Sequence, residues 1–231
     1  MGWESELSGD RVVIVGTGEW AAMAHEYFAS ETAHEVMAFS ADAAYLTSDT
    51  FRGRPAVPLE DLPRRFPPER YRAFVAVSDV QLNRVRRRLF QTVKAAGYQC
   101  VNCISSRAYV APSAVLGENV FIHEFTALQH GVRVGDNVVL GIGVCIGHSA
   151  VLEDDCYSGP HVAVCGSARV GRASFLGAKS CVADCVTVAE DGLIGAGALV
   201  LADTEPGQVY VGSPARPTGR DSYATRGVPV G

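Results

Sequence analysis

The sequence lacks what would direct it to a membrane or to nucleic acid. No apolar run approaches the roughly eighteen residues of a membrane span, and the opening MGWESELSGD is too polar for a secretory signal. Basic charge is not in excess. Lys and Arg total 20 against 25 Asp and Glu, and the resulting net charge of −5 offers no footprint for DNA or RNA. The densest basic cluster, Arg84 with Arg86, Arg87 and Arg88, falls in a predicted helix and reads as a solvated face. The seven cysteines are an odd number. The single C-x-x-C, Cys100 and Cys103, has no second pair and no nearby histidine, so reduced packing cysteines of a cytoplasmic protein are expected, and no metal. No linker rich in Gly, Pro or Ser divides the chain.

What is present is a ruler. From Ala111 to Pro206 the chain divides into sixteen consecutive sextets without an insertion, and the sixth place is Leu, Ile or Val in fourteen of them, failing only at Ser158 and Pro206. A six-residue period marks a solenoid of short parallel strands. Places four and six lie two apart and face inward together, the sixth filling the interior and the small fourth fitting where the wall turns. Place three often holds Asn, Asp or Gly (Asn119, Gly131, Asn137, Gly143, Asp155, Asp191, Gly197), which tolerate left-handed backbone at a corner. Three walls make a coil of eighteen residues, so each residue stacks on its counterpart one coil away. The outward fifth place carries an apolar stripe, Phe121, Val139, Val151, Tyr157, Phe175 and Leu193, which predicts an oligomer.

The first half alternates strand and helix: strand 11–16, helix 19–29, strand 35–40, strand 72–78, helix 80–96 and the strand-like run QCVNCIS. That order predicts a small parallel α/β sheet. After the first strand comes Gly16-Thr17-Gly18-Glu19, where Gly16 permits a tight turn and Gly18 lets backbone amides approach a phosphate at a helix N-terminus. Asp42 lies a few residues late for a ribose-binding acid at the end of the second strand.

The sextets resemble the hexapeptide repeat of the left-handed β-helix acyltransferases. With VVIVGTGEW, FVAVSDVQLNRVR, VNCISS, the GHS sextet, HVAVCG and VYVGSPARP, the chain resembles bacterial nucleotide-sugar acetyltransferases related to sialic acid O-acetyltransferases. The resemblance implies a Rossmann-like nucleotide-sugar-binding domain over 1–106, a left-handed parallel β-helix over 107–218 and a tail over 219–231. It implies a homotrimer with acetyl-CoA in grooves between prisms. Gly16, Thr17, Gly18 and Glu19 would line the nucleotide, with Asp42 and Asn83 as further candidates.

Of the four solenoid histidines, His123, His130, His148 and His161, His148 stands out. It takes an outward place two, lies near the irregular sextet ending in Ser158, and matches the family's catalytic histidine in x-I-G-H. An imidazole suits a general base that takes the proton of an amine or hydroxyl attacking a thioester. Gly166, one coil above, would offer its amide to the oxyanion, and His130, one coil below, would line the acceptor pocket. Where relatives carry an acid after the histidine this chain has Ser149, leaving Glu124, Asp154, Asp155 or a backbone carbonyl to orient the ring. Tyr157 replaces a donor-contacting histidine of some relatives. Ala178 and Ala196 would let the pantetheine arm lie close to the backbone. The expected reaction is acetyl transfer from acetyl-CoA to a nucleotide-linked amino sugar. Alternatives are a non-nucleotide acceptor, a zinc-dependent β-helix of the carbonic anhydrase type, whose spacing the intervals of 7, 18 and 13 between these histidines do not match, and a non-catalytic scaffold.

Overall fold

The computed structural model describes residues 10–229; most of the polar opening segment lies outside them. The first half holds β1 (Arg11–Val15), α1 (Glu19–Glu31), β2 (Glu35–Ala41), the hairpin β3 (Thr50–Phe51) and β4 (Arg54–Pro58), the short α2 (Leu62–Arg65), β5 (Arg72–Val75) and α3 (Arg84–Ala95). The sheet order is β3-β4-β2-β1-β5, parallel except for the β3/β4 hairpin, which the sequence pattern does not announce. Val12 to Val15 are fully buried, because α1 covers one face of the sheet and α3 the other. With β2 and β5 on opposite sides of β1, the chain reverses its winding at the carboxyl end of β1 and opens a crevice there.

From Cys103–Ile104 onward the chain forms three walls of two-residue strands at places five and six. Wall I contains Cys145–Ile146, wall II Val151–Leu152 and wall III Tyr157–Ser158. From Cys103–Ile104 to Leu199–Val200 every pairing is parallel with an offset of eighteen, such as Val139 on Tyr157 and Ala127 on Cys145, while the closing strand Gln208–Val211 pairs with Leu193–Ile194 sixteen residues apart. The third place of every sextet from Asn119 to Gly197 has a left-handed φ between 55° and 69°, so each corner turns at the position the sequence marks. Ile122, Leu128, Leu140 and Ile146 are fully buried inside the prism, each such side chain contributing about 1.5–3 kcal/mol.

Three expectations are corrected. The basic cluster is no solvated face. Arg86 is fully buried; its Nε donates to Asn137 Oδ1 (2.6 Å) and its Nη2 to Asn119 O (2.9 Å), while Arg87 pairs with Asp155 and Arg84 with Asp191. These acceptors stand on the edge between walls II and III, so α3 is bolted to the prism. The predicted start of this helix at Val80 is also displaced. Gln81, Leu82 and Asn83 have left-handed φ, because Leu82 is buried against Leu193 and Val209 and the Asn83 amide donates to Asp155 O. Finally, most of the fifth-place stripe is covered within the chain. Phe121 and Val139 are buried beneath Trp20 and Tyr27 of α1, and Leu193 beneath Leu82. Wall III is therefore an intramolecular interface and gives no argument for an oligomer.

Candidate active site

The crevice at the end of β1 is a cleft of about 400 Å³ lined by Gly16, Thr17, Gly18, Ala41, Asp42, Tyr45, Val77, Val80, Val85 and Leu89. Gly16 has φ 138°, and a Cβ there would stand 2.4 Å from Ala76 O, so the tight turn excludes any side chain. Nothing lies within 4 Å of a Cβ built on Gly18, so the fold itself leaves this space open at the start of α1. Because β2 runs one residue further than expected, Asp42 follows it directly rather than late, and its carboxylate pairs with Arg88 (2.5 Å) at the cleft. Glu19 is exposed in the first turn of α1, outside the lining. Asn83 is corrected: it is buried in the joint between the two halves and does not reach the cleft.

His148 is exposed on the edge between walls I and II, one coil above His130 and one below Gly166. Its backbone N–H donates to Gln129 Oε1 (3.0 Å), and His130 Nδ1 lies 2.9 Å from Ser113 Oγ. A Cβ on Gly166 would stand 2.6 Å from His148 Nε2 and 3.1 Å from Asp184 Oδ1, so the missing side chain is what lets the imidazole lean over that coil. The Gly166 amide donates to Asp184 Oδ1 (2.9 Å). The expected oxyanion donor is thus engaged by a carboxylate in this structure. Asp184 and Gln129 were not among the expected site residues, although the eighteen-residue ruler places Asp184 two coils above His148.

Other expected members do not join this edge. Tyr157 lies on wall III, stacked on Phe175 (5.3 Å, 3°) and edge-on to Trp20 (5.8 Å), inside the joint between the halves. Ser158 points into the prism from the same wall, opposite the His148 edge, with its hydroxyl on Val139 O (3.4 Å), so the irregular sextet is not part of the site. Ala178 and Ala196 stack on the edge between walls III and I, across wall I from His148. None of the three candidate acids reaches the imidazole: Glu124 accepts from Tyr27, Asp154 from the Asp136 amide, and Asp155 from Arg87 and Asn137. His123 is buried against Phe121 and Tyr27, and burial pushes its pKa down to about 4. Among the described residues no group of three His, Cys, Asp or Glu side chains is placed to hold a metal, and no helix is long and apolar enough to cross a membrane.

The bacterial transferase hexapeptide family (six repeats) matches residues 113–148. The crystal structure of PerB from Caulobacter crescentus, in complex with CoA and GDP-perosamine, has a TM-score of 0.79 at 30% identity, covering 92% of this chain and 98% of that one. The chain belongs to the left-handed β-helix, hexapeptide-repeat acyltransferases. The acetyltransferase domain of PglB from Neisseria gonorrhoeae shares the fold of this chain, with a TM-score of 0.78 at 24% identity over 90% of this chain and 100% of that one. Serine acetyltransferase of Mycobacterium tuberculosis is 31% identical over 120 residues, 51% of this chain and 48% of that protein. The chain spans less than half the length of the curated relatives it matches.

Proposed function

We propose that this acyltransferase moves an acetyl group from acetyl-CoA to the amine or hydroxyl of a nucleotide-linked sugar, with His148 as general base. One observation carries the reading. A single chain joins a cleft at a sheet's switch point, floored by Gly16 to Gly18 and flanked by Asp42, to a hexapeptide edge where His148 leans over a glycine. PerB, 30% identical over nearly its whole length, is a complex with CoA and GDP-perosamine, which supports both halves of the reading.

In this scheme the elements from Arg11 to Ala95 form a Rossmann-like domain that holds the nucleotide, with Gly18 leaving room for phosphate at the start of α1. The β-helix follows from Cys103 onward, and the segment expected as a tail from 219 is joined to its last coils through the strand Arg216–Asp221. The acceptor atom attacks the thioester carbonyl carbon, and His148 Nε2 takes its proton. The C–S bond then breaks, and the proton passes to the departing CoA thiolate. Gly166 can donate to the oxyanion once Asp184 gives up its amide. His130 lines the acceptor side.

A homotrimer fits the geometry. Ala178 and Ala196 can meet the His148 edge only if a neighbouring subunit supplies them. Wall I is the face suited to that contact, since its outward residues Tyr109, Ala127, Cys145, Ala163, Cys181 and Leu199 carry no charge. Free cysteines throughout fit a reducing cytoplasm.

The test is a panel of UDP-, dTDP- and GDP-linked amino sugars incubated with acetyl-CoA, with release of free thiol followed. Thiol release that depends on one of these acceptors supports the reading. Release with free sugars or other small acceptors, and with none of the nucleotide sugars, transfers the function to a non-nucleotide substrate.

A further inference from the structure

Three consecutive residues between β5 and α3 hold left-handed backbone: Gln81 (φ 54°), Leu82 (50°) and Asn83 (62°). None is glycine, and an L side chain at such angles crowds its own backbone, so the run persists only where its surroundings hold it. Part of that hold comes from the far end of the chain. Leu82 packs with Leu193, Val209, Tyr223 and Val228. Arg226, the last residue of the helix α4 (Ser222–Arg226), forms an ion pair with Asp79 and lies 4.3 Å over the Phe175 ring.

The C-terminal segment is itself fixed to the last coils. Strand Arg216–Asp221 pairs antiparallel with Gln208–Val211, Tyr223 Oη donates to Asp191 Oδ2 (2.7 Å), and Ser222 Oγ donates to Asp191 O (2.7 Å). A second hollow of about 330 Å³, lined by Asp79, Val80, Gln81, Thr225 and Arg226, shares Val80 with the cleft at the end of β1. The loop that Arg226 grips is therefore the same loop that supplies Val77 and Val80 to the cleft wall.

We propose that the segment Arg216–Val228 is a strap that positions the nucleotide cleft. Arg226 on Asp79, and the apolar pocket around Leu82, hold the loop Ser78–Asn83 in the shape that forms one wall for a nucleoside diphosphate. Arg226 is a positioning residue, acting through the loop. The inference rests on the cleft being the nucleotide site.

The experiment uses the full chain. Wild type, Arg226→Gln and Arg226→Lys are titrated calorimetrically with UDP, dTDP and GDP, and separately with acetyl-CoA. Arg226→Gln is expected to weaken the best-bound nucleoside diphosphate by about ten-fold and leave acetyl-CoA affinity unchanged. Arg226→Lys, which keeps a cation facing Asp79, should recover part of that loss. In turnover the change should appear in the KM of the nucleotide-linked acceptor, with kcat retained.

A folded Arg226→Gln that binds nucleotide like wild type overturns the strap. If Arg226→Gln does not fold, Val228→Ala, which thins the Leu82 pocket, carries the test with the same selective loss expected; unchanged nucleotide affinity there overturns the proposal equally. Wild type binding none of the three nucleotides is a distinct result: the nucleotide reading of the cleft falls, and the strap falls with it.

Discussion

At the scale of single residues the chemistry depends on an absence. His148 Nε2 occupies space that any side chain on Gly166 would contest, since a Cβ would stand 2.6 Å away. Gly166→Ala therefore pushes the imidazole aside. An ångström of misplacement costs about 10²-fold, so its kcat should fall by about that factor in the thiol-release assay. His148→Ala should lose about 10² to 10⁴ in kcat/KM. Its melting temperature should stay at the wild-type value, because the side chain is exposed and holds no other group in place. Full acetyl transfer by His148→Ala would move the general base elsewhere. The n+18 rule makes the His130, His148 and Gly166 column legible from the sequence. That the Gly166 amide is already taken by Asp184 is not legible, because it depends on which way a corner carboxylate turns.

Among the elements, α3 is the part whose role changes most on folding. Its four arginines within five residues look like a face for solvent, yet Arg86 is fully buried between β5 and the prism. Burial lowers its pKa to about 10, so it remains charged at neutral pH with the Asp155 carboxylate favouring that charge, and its hydrogen-bond acceptors are the uncharged amide oxygens of the Asn119–Asn137 ladder. Arg86→Ala leaves those buried acceptors unpaired and opens a cavity. Denaturant unfolding should show a loss of about 3–5 kcal/mol. Arg88→Ala, at the exposed pair with Asp42, should cost under about 1 kcal/mol. Equal effects from the two variants would contradict the docking role given to Arg86.

For the whole molecule, the joint between the halves sets the response to acid. His123 is buried against Phe121, Trp20 and Tyr27, with Nε2 unpartnered. The unfolded chain takes a proton there near pH 6.5 and the folded chain only near pH 4. Protons thus favour unfolding: this contribution to stability is complete above pH 6.5 and is lost as the pH falls towards 4. The loss amounts to on the order of 3 kcal/mol at 1.36 kcal/mol per pKa unit. Glu124, beside it, has its carboxyl held below the usual range by the Tyr27 and Arg107 contacts that offset its burial, so its own contribution is lost only at lower pH. In His123→Phe, urea unfolding between pH 7 and pH 4.5 should lose most of that slope, with His34 and His25, both also shifted down by burial, contributing to the remainder. A slope as steep as that of the wild type would place the acid sensitivity outside this joint.

The sequence by itself determined the prism, its eighteen-residue stacking, its left-handed corners and the alternation of strand and helix ahead of it. These follow from short-range periodicity: inward side chains recur every six residues, and corner residues need a backbone that Asn, Asp and Gly tolerate. It also located Gly16, Gly18 and His148, because a turn and a corner are local events. Only the tertiary structure decided what covers wall III, where Arg86 goes, and that Tyr157 and Asn83 are joint residues. Each of these depends on which surfaces of two separately patterned halves meet. A side chain's chemistry, read along the chain, does not say whether water or another part of the same molecule will face it.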